Sequence, residues 1–219
     1  MKVSAPAGSA GVRGRSRPER ICIRLLTCEL GIIDPAGISG TWQRAEFFLM
    51  SETHILPDML RPGLRLVFIG TAASTRSAAV GAYYAHPQNR FWRTLHEVGI
   101  TPRRFAPQEF RDLTKLGIGF TDVSKIGSGM DHEIAAGDFD AAGLRARLAK
   151  AKPQAIAFTS KRAASFYLGK PTGKIAYGRQ PDVEGEPVTF VLTSPSGAAT
   201  RYWSLDPWRE LADWFRRAG

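Results

Sequence analysis

The stretch "LRLVFIG", residues 64–70, decides the fold of this chain. It is a short apolar run that ends in glycine, which is typical of a β-strand buried on both faces of a parallel sheet. Three later runs have the same character: "GIGFTDVS" at 117–124, "QAIAFTS" at 154–160 and "PVTFVLT" at 187–193. The sequence therefore predicts four buried strands.

Helical patterns separate these runs. Apolar residues at helical spacing predict helices over 89–98, 139–151, 161–169 and 206–219. In the last of these, Asp206 is expected to cap the helix and Pro207 to take its first position. Apolar strands that alternate with helices predict an α/β protein whose parallel sheet is covered on both faces.

Three loops leave the carboxyl ends of the predicted strands, and ligands of such sheets bind beyond those ends. The loops cover residues 70–90, 122–129 and 194–201. We expect them to converge on one cleft.

Composition limits the classes of partner. The chain has 219 residues, 43% hydrophobic residues and a formal net charge of +10. This length accommodates one sizeable domain with an extension. The charge favours a polyanionic partner, with nucleic acid first and an acidic membrane surface second, although a merely basic soluble protein has the same charge.

The amino-terminal part has a different composition. Residues 1–20 are rich in Gly, Ser, Ala and Arg and are predicted to be disordered. We expect 1–49 to be a basic, flexible extension and 50–219 to be a single domain. Cys22 and Cys28 have neither zinc nor iron–sulfur spacing, and no stretch is apolar and long enough to span a bilayer.

The first loop begins with small residues, "GTAAS" at 70–74, so a ligand can approach its main-chain N–H groups closely. A helix that begins near Ser74 adds partial positive charge there, which favours an anion. Tyr83 and Tyr84 offer a stacking face for a planar base. The alternatives are a nucleotide-phosphate loop or plain strand–helix packing, although neither G-x-G-x-x-G nor a P-loop is present.

The terminal loop "SPSGAATR", residues 194–201, is also suited to contacting a ligand. Pro195 stiffens it, Ser194 and Ser196 supply hydroxyl groups, and Arg201 is suited to a phosphate. Considered alone, this octapeptide is typical of an ordinary surface turn.

Taken together, "LPDMLRPGLRLVFIG", "SAAVGAYYAHPQNRFW" and "SPSG" resemble the mismatch-specific uracil/thymine DNA glycosylases of the uracil-DNA glycosylase superfamily. The resemblance runs from about Leu56 to the C-terminus with the motif spacing preserved. It implies a three-layer α/β/α sandwich with a short central parallel sheet. It also implies monofunctional removal of uracil from DNA, without metal or cofactor.

The resemblance also implies roles for single residues. Tyr84 falls where the family stacks an aromatic ring on the flipped base. Residues 70–74, among them Gly70, Thr71, Ala72 and Ser74, correspond to the loop that activates water and reads uracil. Residues 194–201 correspond to the loop that enters the minor groove. The loop's expected DNA contacts are Ser194, Pro195, Ser196, Gly197, Ala198 and Arg201.

Two positions depart from the family pattern. Ala72 stands where relatives have the Asn or Asp that positions the attacking water, although some superfamily branches also lack a polar residue there. Ala198 replaces a larger wedge residue at the tip of the terminal loop. Catalysis should then depend on stabilising the departing base anion with fixed dipoles.

Three residues are candidates to replace the missing side chain. His86 could orient water or face the anion, or be a hydrogen-bonded loop histidine. Asp122 could act as a base or read the N3–H of uracil, or be a turn carboxylate. Asn89 could bind the base or cap the following helix.

The sequence predicts a monomeric, cytoplasmic uracil-DNA glycosylase of base-excision repair, with no membrane partner. Its substrate would be uracil-containing DNA, double- or single-stranded, with G·U favoured over A·U because a mismatched base is flipped at lower cost. The alternatives are a catalytically weak or inactive DNA- or uracil-binding module on the same fold, and a hydrolase of free nucleosides or nucleotides.

Overall fold

The computed structural model describes residues 54–130 and 132–218. The expectations for the extension at 1–49, for the two cysteines and for the first residues of the 50–219 domain lie outside the described residues. Among the helices described, none is long and apolar enough to cross a bilayer.

A central sheet organises the chain. Its five strands lie in the order β2-β1-β3-β5-β4, and the first four of these are parallel. The short strand β4 pairs antiparallel with β5 at the edge. The strands are β1 (Leu66–Gly70), β2 (Ile118–Asp122), β3 (Ala155–Phe158), β4 (Gly178–Arg179) and β5 (Val188–Val191).

Within residues 54–130 and 132–218, five α-helices and four 3₁₀ segments connect and cover the strands. The helices are α1 (Thr75–Val80), α2 (Phe91–Glu97), α3 (Ala141–Ala151), α4 (Lys161–Leu168) and α5 (Asp206–Arg217). The 3₁₀ segments are Pro107–Leu116, Ala136–Asp138, Thr172–Lys174 and Gly197–Tyr202.

The sheet carries a hydrophobic core on each face. Side chains alternate along a strand, so neighbours on β1 enter different cores. Phe68 packs with Phe91 of α2 and Trp208 of α5, whereas Val67 packs in the cluster that contains Leu144 of α3. Helices on both faces of a mostly parallel sheet confirm the α/β fold predicted from the sequence.

Most predicted elements are present with small differences. All four predicted strands form. The two-residue strand β4 was not predicted, because so short an element has no detectable alternation. Asp206 is the first residue of α5 instead of its cap, and its N–H donates to the Ser204 hydroxyl at 3.2 Å.

Candidate functional site

A cavity of about 330 Å³ lies at the carboxyl ends of the parallel strands. The three predicted loops all contribute to its wall, as does the turn between β3 and α4. The lining residues include Gly70, Thr71, Ala72, Ala73, Ser74, Tyr83, Tyr84, Asn89, Asp122, Met130, His132, Thr159, Ser160, Ser194, Pro195, Ser196, Ala198 and Ala199. The convergence expected from the topology is therefore found.

Gly70 and Asp122 lie side by side on this wall. They are the last residues of the neighbouring strands β1 and β2 and are partners in the parallel register. A Cβ atom added to Gly70 would stand 2.2 Å from Oδ1 of Asp122. Glycine at position 70 is thus what allows the carboxylate to reach the water-activating loop implied by the family resemblance.

The Asp122 carboxyl group is buried, with 3% of the residue exposed. Within the described part of the chain its carboxylate oxygens accept no hydrogen bond from a protein group. Burial raises the pKa of Asp122 to about 6, and the Asp58 carboxylate acts in the same direction, while Lys125 and Arg147 oppose both. The group is therefore mostly ionised at neutral pH and available to a ligand in the cavity.

A partly buried ion cluster lies beside Asp122. Lys125 Nζ is 2.8 Å from the Asp58 carboxylate, which also accepts a hydrogen bond of 2.6 Å from the Thr121 hydroxyl. Arg147 Nε lies 3.3 Å from the same carboxylate without hydrogen-bond alignment. Lys125 also donates to the Tyr83 hydroxyl at 3.2 Å. This cluster connects Asp58, which precedes β1, to the end of β2.

Both tyrosines line the cavity, but in different ways. Tyr83 is 1% exposed; its hydroxyl donates to the Pro57 carbonyl and its ring stacks on Phe120 at 5.2 Å between centroids. Tyr84 is partly exposed, and one face of its ring is stacked on Phe91 at 3.9 Å between centroids. Tyr84 is thus the ring that has a free face to offer.

The backbone around Tyr84 is unusual. Its φ angle is +54°, in the left-handed region that an aromatic residue rarely adopts. Two hydrogen bonds hold the turn: Trp92 Nε1 donates to the Tyr83 carbonyl at 3.1 Å, and Ala85 N–H donates to the Ser77 hydroxyl at 3.1 Å. Such strain persists only where the surroundings fix it, and it is concentrated at functional sites.

The loop between β1 and α1 presents main-chain groups to the cavity. Ser74 caps α1, and its hydroxyl accepts from the Ser77 N–H at 3.1 Å. Within the described residues, the N–H groups of Ala72 and Ser74 donate to no protein acceptor, so they are free to bind a ligand. The Thr71 hydroxyl pairs with that of Ser160 at 3.0 Å, which ties this loop to the β3–α4 turn.

The two residues of the His-Pro-Gln-Asn segment proposed from sequence lie in different places. His86 is exposed, is not on the cavity wall, and its Nδ1 accepts from the Gln88 N–H at 3.2 Å. This geometry favours the loop-histidine interpretation. Asn89 lines the cavity, yet its Oδ1 accepts from the Phe91 N–H at 2.9 Å. The side chain therefore binds the first N–H of α2, whose N-cap residue is Arg90.

Arg90 fastens the terminal loop to this segment. Its main-chain N–H donates to the Pro195 carbonyl at 2.8 Å, and its guanidinium donates to the Ser196 carbonyl at 3.3 Å and the Thr200 hydroxyl at 3.0 Å. Gly197 packs against Gln88, where an added Cβ would come within 2.8 Å of the Gln88 Cβ.

Several lining residues were not proposed from the sequence. Thr159 and Ser160 follow β3, so the rule that placed Asp122 at the carboxyl edge applies to them equally. The Thr159 hydroxyl lies 3.3 Å from that of Tyr84. Met130 and His132 come from the Gly-rich loop after β2, where the sequence has no distinguishing pattern. Arg201 lies outside the wall.

Across 54–130 and 132–218, no three His, Cys, Asp or Glu side chains are grouped closely enough to hold an ion.

Comparison with known proteins identifies the family. Residues 57–216 match the model of the "Uracil DNA glycosylase superfamily". The chain belongs to the uracil DNA glycosylase superfamily. It is also similar in fold to a "putative Uracil DNA glycosylase" from Methanosarcina acetivorans, solved by solution NMR. That similarity has a TM-score of 0.52 and 24% sequence identity, and it covers 74% of this chain and 96% of the other.

Proposed function

We propose that this superfamily member is a monofunctional DNA glycosylase that hydrolyses the N-glycosidic bond of uracil in DNA. We place it nearest the mismatch-specific uracil/thymine enzymes, with G·U pairs as favoured duplex substrates. The observation that carries the proposal is the buried Asp122 carboxylate, which lines the cavity beside Gly70 and has no hydrogen-bond donor among the protein groups that the structure describes.

In the proposed reaction, the extruded uracil stacks on the free face of Tyr84. The C1′–N1 bond breaks and its electron pair leaves with the base. The free N–H groups of Ala72 and Ser74 stabilise the resulting anion, because fixed donors in a dry pocket need no reorganisation. The sugar becomes cationic as the base departs.

The ionised Asp122 carboxylate performs the role that Ala72 lacks. It accepts a hydrogen bond from water, directs the water oxygen towards C1′ and offsets the positive charge on the sugar. A new C1′–O bond forms, and the water proton passes to the carboxylate and then to solvent. Asp122 thereby supplies from β2 what relatives supply from the first loop.

Single-turnover excision on a uracil-containing oligonucleotide tests this role. We expect Asp122→Asn to lower the rate by about 100-fold or more, within the range that a positioned acid–base group contributes. His86→Ala serves as the matched control, because His86 lies outside the cavity, and we expect it to retain nearly full activity. A normal rate in Asp122→Asn would remove Asp122 from the mechanism.

The second candidate is a catalytically silent DNA- or uracil-binding module, which the alanine at position 72 favours. The same oligonucleotide distinguishes the two. An alkali-labile site after incubation indicates a glycosylase, whereas retarded but uncut DNA at every enzyme concentration indicates the binder. Both predict salt-sensitive DNA binding, which a hydrolase of free nucleosides would lack. Action on DNA also implies a location with the chromosome.

A further inference from the structure

Two exposed tyrosines lie beside the cavity, on the side of β3 and β5. Tyr177 immediately precedes β4, and Tyr202 ends the 3₁₀ segment of the terminal loop. Tyr177 is 39% exposed and Tyr202 is 66% exposed. Gly178 pairs with Val191 at the carboxyl end of β5, so Tyr177 lies at the edge of the sheet from which the terminal loop with Tyr202 leaves. Burial raises the pKa of Tyr177, and the Tyr202 hydroxyl acts in the same direction.

Each tyrosine has a cation over its ring. Lys161 Nζ lies 4.2 Å from the Tyr177 ring centroid, and the Arg201 guanidinium carbon lies 5.8 Å from that of Tyr202. Lys161 directly follows Ser160 on the cavity wall, and Arg201 is two residues beyond Ala199 on the same wall. The four side chains Lys161, Tyr177, Arg201 and Tyr202 form what we call the aromatic–cationic strip.

The strip carries uncompensated positive charge. Among the described residues, neither Lys161 nor Arg201 has a carboxylate oxygen within 4.0 Å. Arg179 and Arg216 are examples of arginines that do have such a partner, in Asp182 and Asp213 respectively. A chain with a net charge of +10 thus leaves two free cations and two exposed rings at the edge of its cavity.

We infer that the aromatic–cationic strip binds the unpaired DNA strand next to the extruded nucleotide, stacking a neighbouring base on Tyr202 and Tyr177 while Lys161 and Arg201 contact its phosphates. Exposed aromatic rings among cations are the composition of single-strand grooves, and stacking accepts any base. The inference rests on the proposed function in that its ligand is DNA.

The strip has a consequence for substrate choice. The tip of the terminal loop carries Ala198 and Ala199, which are too small to fill the gap left by an extruded base. A strand that is already unpaired leaves no such gap and can lie along the strip. The protein should therefore bind single-stranded or opened DNA more tightly than a fully paired duplex of the same sequence.

Fluorescence anisotropy with a labelled, uracil-free single-stranded oligonucleotide tests the inference on the full chain. We expect Tyr202→Ala to weaken binding by roughly 5- to 100-fold, the equivalent of about 1–3 kcal/mol for one stacked base. Tyr177→Ala should weaken it in the same direction, and Tyr202→Phe should retain wild-type affinity. Circular dichroism and thermal unfolding establish that each variant is folded.

Val183→Ala is the matched control. Val183 is 64% exposed but precedes β5, at the opposite edge of the sheet from the cavity, so its loss should not change binding. Lys161→Ala provides a second readout: the slope of log affinity against log salt should fall by about 0.7, the value for one phosphate contact on a single strand. Tyr202→Ala should leave that slope unchanged.

Two results would overturn the inference: unchanged affinity in a folded Tyr202→Ala variant, or equal weakening by Val183→Ala. Because the probe contains no uracil, the test does not depend on catalysis. Wild-type protein that never excises uracil, yet loses single-strand binding with Tyr202→Ala, would refute the glycosylase and support the strip. Full uracil excision by the wild type, together with strip variants that bind the single strand normally, would support the glycosylase and refute the strip.

Discussion

Replacing Gly70 by alanine tests the contact on which the proposed mechanism depends. The new Cβ would stand 2.2 Å from Asp122 Oδ1, while its next contacts, with Asp122 Cγ and the Tyr84 hydroxyl, are ordinary at 3.5 Å. Ordinary contact begins at 3.4 Å, so the carboxylate oxygen has to retreat by about 1.2 Å. Both residues are fixed in paired strands, which limits how the strain can relax.

Two magnitudes follow from this displacement. Overpacking a well-packed site costs about 1–3 kcal/mol, so Gly70→Ala should lower the free energy of unfolding by that amount. A misplacement of 1 Å in a catalytic group costs about 100-fold in rate, so single-turnover excision should fall by at least that factor. Gly137→Ala is the matched control, because a Cβ there meets nothing within 4 Å and should change neither quantity.

A double-mutant cycle isolates the contact. Asp122→Ala removes the clashing oxygen, so adding Gly70→Ala to it should be neutral or slightly stabilising, since alanine loses less chain entropy than glycine. Urea unfolding of the four proteins should give a coupling energy of at least about 1 kcal/mol. Effects that add within about 0.5 kcal/mol would show that the two residues do not interfere, and the reasoning would be refuted.

Three further predictions use the same assays. Tyr84→Ala should reduce excision strongly while the protein stays folded, and Tyr84→Phe should retain the rate; full activity in Tyr84→Ala would move the stacking site elsewhere. The pKa of Asp122 is raised to about 6, so ionising this carboxyl group destabilises the folded state. The free energy of unfolding should therefore fall as the pH rises from about 4 through 6. Relative to wild type, the free energy of unfolding of Asp122→Asn in urea titrations should rise by up to about 3 kcal/mol over that range. Lys125→Met should lower the free energy of unfolding by about 1–3 kcal/mol, since the partly buried Asp58 carboxylate loses one charged partner but keeps Arg147 and the Thr121 hydroxyl; a loss below about 0.5 kcal/mol would contradict this.

The fold was largely predictable because its strands are buried on both faces. A continuous apolar run such as 66–70 that ends in glycine is typical of a buried strand, and the parallel arrangement then places every strand's carboxyl end at the same edge. Asp122 and Ser194 could be assigned to the cavity for that reason alone. Thr159 obeys the same rule and could have been found with it.

Other parts of the site depend on contacts that leave no local pattern. Asp58 reaches Thr121 across 63 positions of sequence, and its charge contributes to the raised pKa of Asp122. His86 is only two residues from Tyr84, yet it is exposed and lies off the cavity wall, and the left-handed backbone conformation of Tyr84 between the wall and His86 has no signature in the sequence. Tyr177 is placed at the carboxyl end of β5 by β4, an element too short to predict.

The three contacts of Arg90 fall on Pro195, Ser196 and Thr200, which flank the two alanines at the crown of the terminal loop. The residues on both sides of these alanines are therefore held by hydrogen bonds from Arg90, which lies outside the loop. We expect larger side chains at 198 and 199 to leave the Arg90 hydrogen bonds intact. Substitutions at these two positions can therefore be used to engineer the preference for particular DNA lesions.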